Sequence, residues 1–164
     1  MKEYLLDQAF RQYRVDQARN YLEHVSETRR KVAALVERAD TLRDLADGIR
    51  GMAILEAGAT ASPYADAIPD AVARLDELSR RASDMAVMYA EMVEECDVSL
   101  TSLGGWRGTL LDLHYLGGKT LAEIGEMDEW RHDRQYMSVL HIQALDAFYD
   151  HMPHYRREPM PPAI

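Results

Sequence analysis

Five side chains in the C-terminal third of this chain, Arg131, His132, Arg134, Gln135 and Ser138, have the types and spacing to read a nucleic acid. Arg and Gln each present two hydrogen-bonding groups that match base edges in the major groove. Ser and His bind phosphate or base. Arg134, Gln135 and Ser138 open a predicted amphipathic helix, Asp133 to His151, and Arg131 and His132 lie in the turn just before it. Its opposite side, Met137, Leu140, Ala144, Leu145 and Phe148, is apolar at intervals of three and four. Lys119 and Thr120, at the head of the preceding helix, complete the candidate set. The alternative for the same face is plain solvation. Val139 and Ile142 also lie toward it, which points to a protein contact further along.

The elements that must position these residues are legible in residues 110–148. An apolar helix, Trp106 to Leu116, ends at the Gly117–Gly118 pair, which supplies the left-handed exit that other residues resist. Thr120 and Glu123 form a capping box for a short fourth helix with Leu121, Ile124 and Met127 inward. Gly125, lacking a side chain, lets the next helix approach closely. A polar turn, Asp128 to His132, leads into the last helix. Helix, turn and second helix in this order predict a helix-turn-helix, in which base contacts come from the start of the second helix.

Two long helices precede it. The first is predicted over Lys2–Arg50, with a seam at Val25, Thr28, Val32, Leu35, Ala39, Leu42, Ala46 and Ile49. Residues 51–65 read as a loop ending near Pro63. Asp66 caps a second helix to Ser99, with Pro69 in its first turn. Its seam is Ile68, Ala71, Leu75, Leu78, Ala82, Met85, Tyr89, Met92 and Cys96. Seams alternating three and four are coiled-coil signatures, and two joined by one loop predict an antiparallel hairpin. The first helix overhangs by about 15 residues at 1.5 Å rise per residue. Its Tyr4, Leu5, Leu6, Phe10 and Tyr13 are expected to pack on the C-terminal helices, around Trp106, Leu110 and Tyr115. The alanine-rich seam is modest in volume, so a second copy is expected to help bury it. The predicted organisation is all-α: a hairpin over 1–101 serving dimerisation, a helix-turn-helix over 102–152 and a proline-rich tail over 153–164, loosely docked or disordered.

Composition narrows the class. The chain has 164 residues, 47% of them hydrophobic, which is enough for a core, and its single cysteine, Cys96, cannot form an internal disulfide. The charged N-terminus is not a signal peptide and no apolar run is long enough to span a membrane, so a cytoplasmic location is expected. The net charge is −9, and residues 1–105 and 106–164 are both acidic, at −6 and −3. DNA binders gain most of their affinity from neutralising phosphates, so this balance opposes strong non-specific binding.

No catalytic, cofactor or metal set is expected. His132, His141, His151 and His154 lack ligand spacing. Glu91, Glu94, Glu95 and Asp97 read as a solvated acidic stripe, without the second acidic pair that a helical nucleotide hydrolase needs. Gly117-Gly118-Lys119-Thr120 ends like a phosphate loop but has Leu113 where the first glycine belongs. Met85, Met88 and Met92 read as core filler.

The stretch LHYLGGKTLAEIGEM, followed by VLHIQAL, is similar to the fourth region of sigma-70-type sigma factors. The chain more closely resembles phage and prophage transcriptional regulators of the RinA/ArpU kind, which have sigma-like C-terminal domains. The matching features are Lys2-Glu3-Tyr4-Leu5, the loop Ser62-Pro63-Tyr64-Ala65-Asp66, and Tyr115 to Thr120 with Glu123-Ile124. They cover nearly the whole chain, and their order is more specific than any one of them. The resemblance implies a regulator of phage late or packaging genes in a bacterial host cell. It would bind double-stranded DNA as a homodimer through the long helices, with RNA polymerase as a further candidate partner and recognition on Arg131, His132, Arg134, Gln135 and Ser138. The chain departs from the pattern in a turn about two residues longer that lacks the usual glycine, and in the acidic Asp133. A non-catalytic coiled-coil interaction protein is the competing expectation. A positive surface at the start of the last helix favours DNA; a negative one favours the interaction role.

Overall fold

The three-and-four spacing carries into helices longer than their predicted ends. The structure, a computed structural model, describes residues 1–56 and 67–159 and holds helices and no strand among them. The chain is all-α. Helix α1 is Lys2–Glu56, α2 is Ala67–Leu103, α3 is Gly105–Leu111, α4 is Leu121–Glu126 and α5 is Arg134–Tyr149.

Residues 51–56, expected to open a loop, instead continue α1. A Cβ at Gly51 would meet nothing within 4 Å, so no packing demands a break there. A glycine in a helix interior costs only about 1 kcal/mol, too little to stop a long helix. The rest of the expected loop, with Pro63 and the Asp66 cap, lies outside the described residues. Helix α2 likewise runs past Ser99, whose hydroxyl bonds back to the Glu95 carbonyl, and ends at Gly104. The expected third helix is α3 followed by a π-type turn at Asp112–Leu116, with Gly117 N–H donating to the Asp112 carbonyl at 2.8 Å. Of the glycine pair only Gly118 takes the left-handed conformation, at φ 72°.

The described chain forms two compact units. The first comprises Thr28–Ala90, the adjoining lengths of α1 and α2. Its buried positions, Thr28, Leu35, Ala39, Ala46 and Ala82, all lie on the predicted seams. Val32, Leu42, Leu75, Leu78 and Met85 are only half-buried, and Met88, read from the sequence as filler, is exposed. Val36, Leu45 and Val87 are also exposed.

The second unit joins Met1–Glu27 and Glu91–Ile164. Leu22 and Val25 of α1, Cys96 of α2, Leu110, Ile124, Met137, Leu145 and Phe148 make its solvent-free centre, with Tyr21 stacked on Phe148. Burial, with Asp112, Asp97 and Glu95 nearby, pushes the Cys96 thiol up to about 12, so it stays protonated. Glu95 is not part of a solvated stripe. It is half-buried and accepts hydrogen bonds from Tyr21 at 2.9 Å, from Tyr155 and from Arg156.

The start of α1 docks differently from expectation. Tyr4, Leu5, Leu6 and Phe10 are exposed, and Trp106 pairs with Trp130 instead. The anchor is Arg14, which binds Asp146 at 2.8 Å and Asp150 at 2.6 Å and lies over the Tyr149 ring. These charge-assisted bonds satisfy a guanidinium that packing has largely withdrawn from water. Tyr13 meets the same Tyr149 ring edge-on. The tail is also ordered further than its prolines suggest. His154–Arg156 form a single 3-10 turn, Arg157 donates to the carbonyls of Tyr149 and Met152, and Glu158 N–H donates to Gln17 at 2.9 Å. Residues 160–164 lie outside the described set.

His141 makes this second unit pH-sensitive in mild acid. His141 Nε2 lies 2.9 Å from the Tyr115 hydroxyl, and burial, His114 and Arg19 push the imidazole down to about 4. At pH 7 it is neutral both folded and unfolded and contributes nothing. Below about 6.5 the unfolded chain takes up a proton that the folded chain refuses. Stability therefore falls from about pH 6.5 to about 4, by roughly 3 kcal/mol at the limit. Melting temperatures recorded across that range should drop more steeply for the wild type than for His141→Gln. Parallel curves would remove this assignment.

Candidate nucleic-acid interface

The candidate residues depend on how α4 hands the chain to α5. Thr120 caps α4: its hydroxyl accepts from Glu123 N–H at 3.2 Å, and the Glu123 carboxylate accepts from Thr120 N–H at 2.7 Å. The Thr120 backbone N–H and hydroxyl, with Lys119 nearby, hold the Glu123 carboxyl below its ordinary range. Two N–H groups that the helix leaves unpaired are thereby satisfied. Thr120 is thus committed to the cap, although it is exposed. Lys119 is exposed and has no ion pair among the described residues. Its carbonyl lies 2.6 Å from His114 Nδ1.

The turn folds back against α4. His132 N–H donates to the Gly125 carbonyl at 3.0 Å, and Trp130 and Arg131 N–H groups both donate to the Met127 carbonyl. A Cβ at Gly125 would lie 2.5 Å from the His132 carbonyl oxygen and 3.0 Å from Met137 Cγ. The approach therefore needs glycine. Arg131 takes φ 45°, in the left-handed region where a side chain is strained. The turn closes without a glycine there, at a cost of about 1–2 kcal/mol. Arg131→Gly should raise stability by about 0.5–1 kcal/mol, because the exposed Arg131–Asp128 pair it deletes is worth little. Thermal melting checks this: an unchanged or lower melting temperature would show that the strain is compensated.

Asp133 ends the turn as the cap of α5, accepting from Tyr136 N–H at 2.8 Å. The expected helix start thus shifts by one residue, to Arg134. Met137, Ala144, Leu145 and Phe148 are buried and Leu140 is half-buried. On the other side Arg134, Gln135 and Ser138 are exposed, one turn apart at the head of the helix. The Ser138 hydroxyl donates to the Arg134 carbonyl, leaving its oxygen able to accept. Arg131 is exposed but ion-paired to Asp128 at 3.1 Å, and His132 is exposed with its ring edge-on to Tyr136.

The structure brings Arg134, Gln135 and Ser138 onto one open helix face and sets Arg131 and His132 in the turn before it. The local charge is net negative, which by the charge criterion favours the interaction role. Residues 119–138 hold Lys119, Arg131 and Arg134 against Glu123, Glu126, Asp128, Glu129 and Asp133. Of these cations, Arg134 and Lys119 have no ion pair among the described residues. Sequence reading did not single out Tyr136, which stands exposed beside Val139 and Ile142. Its position on the α5 face was the available signal. No helix among the described residues is long and apolar enough to cross a membrane. No protein-family model, curated protein or solved structure matches this chain.

Proposed function

We propose that α4, the turn and α5 act as a helix-turn-helix, and that the chain is a phage-type transcriptional regulator whose α5 enters a DNA major groove. The observation that carries this reading is the open face of Arg134, Gln135 and Ser138 at the head of a helix held on its other side by the core. Those two longer side chains can each form paired hydrogen bonds with a base edge. The rigid base supplied by the capping box and the Gly125 approach fixes where they point, as groove reading requires. The resemblance to RinA/ArpU-type regulators and to sigma region 4 agrees with this placement.

The acidic surroundings set the expected affinity. Two unpaired cations near the face neutralise few phosphates, so a monomer binds weakly and two copies are needed to occupy a site. The long helices are read as an antiparallel hairpin that supplies the second copy. Its half-buried seam and the exposed Val36, Leu45 and Val87 favour pairing. Pull-down of sheared genomic DNA from the phage or its host, followed by sequencing, tests the proposal. A shared sequence enriched by the wild type and lost with Arg134→Ala plus Gln135→Ala supports it, and no enrichment refutes it.

One set of observations favours a second reading, a non-catalytic interaction protein that contacts RNA polymerase. Leu5 and Ala9 of α1 and Val139 and Ile142 of α5 line a groove of about 790 Å³, and three of those four side chains are large and exposed. Co-purification of polymerase by a chain with no DNA enrichment would select this reading.

A further inference from the structure

Both tryptophans of the chain converge on one cleft. It lies between the head of α3 and the head of α5, has a volume of about 410 Å³, and is lined by Trp106, Trp130, Tyr136, His132, Leu140 and Glu129. Trp106 and Tyr136 remain 38% and 48% exposed, so part of each side chain is open to a ligand. We propose that this cleft binds an organic cation, an ammonium or guanidinium group, against the aromatic faces, with the Glu129 carboxylate as counter-charge.

Ring geometry separates this from base stacking. A flat nucleobase is gripped by parallel rings, whereas a compact cation suits aromatic walls that meet at a steep angle. Here Trp106 and Trp130 lie 6.5 Å apart at 79°, and His132 and Tyr136 lie 4.5 Å apart at 63°. Charge points the same way: Glu129 is exposed and has no ion pair among the described residues. The cluster already attracts one cation at its rim, since the Arg107 guanidinium lies 4.9 Å over the Trp106 ring. The occupant is therefore a small quaternary amine or the basic side chain of a partner protein, and the chemistry at the cleft is the same for both.

Intrinsic fluorescence reads the site directly, because no tryptophan lies elsewhere. The full chain is titrated with choline chloride, with its neutral isostere 3,3-dimethylbutan-1-ol, and with N-acetyl-arginine methylamide, all at constant ionic strength. Saturable change with a cation, at least about tenfold weaker with the isostere, is the expected result. Glu129→Gln, at an exposed position, should weaken the cation about threefold or more while leaving circular dichroism unchanged. Tighter binding of the arginine derivative than of choline identifies a protein side chain as the occupant, and the reverse order identifies a small amine. No saturable change with either cation, equal binding of the isostere, or an unaffected Glu129→Gln variant overturns the proposal. These readouts are independent of whether α5 reads DNA.

Discussion

Replacing Gly125 with alanine should lower the stability of the chain by about 2 kcal/mol, the largest loss expected from adding a single methyl group here. The added Cβ would sit 2.5 Å from the His132 carbonyl oxygen, a backbone atom that cannot swing aside as a side-chain tip can. The turn must open, which costs the His132 N–H bond to the Gly125 carbonyl and crowds Met137 at the centre of the core. Overpacking of this kind costs roughly 1–3 kcal/mol, and a lost buried hydrogen bond adds about 1. Alanine returns up to about 1 kcal/mol through its better helix propensity, so the net stays near 2. For a chain of this length that is a fall of roughly 4–8 °C in melting temperature. A melting temperature within a degree of wild type would show that the turn relaxes freely. The same change moves the head of α5, so DNA affinity should fall together with stability.

The second large effect is functional and should leave the fold intact. Arg134→Ala combined with Gln135→Ala should weaken binding to a selected fragment by about 100-fold or more, since each paired contact to a base edge is worth roughly 1–3 kcal/mol. Both side chains are exposed and alanine is the better helix former, so the melting temperature should hold. A mobility-shift titration at fixed salt reads the loss, and unchanged affinity would remove these residues from the interface. Lys119→Ala offers a contrast. Its unpaired ammonium suits a phosphate, so it should weaken all sequences alike and reduce the salt slope by about one.

Local chemistry made much of this legible in the sequence. The seams of α1 and α2 contain most of the positions buried between Val25 and Ala46 and between Ala82 and Cys96, with Ser26 buried off the seam and Val32, Leu42 and Met85 on it only half-buried. The Thr120–Glu123 capping box, the close approach at Gly125 and the buried stripe of α5 are short-range features whose causes lie within a few residues. Three things were hidden. The ends of α1 and α2 extend because Gly51 and Ser99 are weak signals against the cooperativity of a long helix. The Arg14 anchor and the Glu95 hub join residues 60 to 136 positions apart, and no periodicity reports such pairs. The docked tail looked like a proline-rich end because its bonds to Gln17 and Tyr149 depend on distant partners. At the candidate interface, the outward residues of α5 could be named from spacing alone. That Arg131 is strained and ion-paired, and that the two tryptophans meet, required the folded chain.

The central claim is that the head of α5 lies in a major groove. Methylation interference on a selected genomic fragment tests it most directly, because dimethyl sulfate blocks guanine N7, an acceptor that an arginine fork uses. The account predicts at least one guanine whose methylation abolishes wild-type binding and has no further effect on the residual binding of Arg134→Ala. Undiminished binding to DNA methylated at every guanine, by a chain that still selects a sequence, would contradict it.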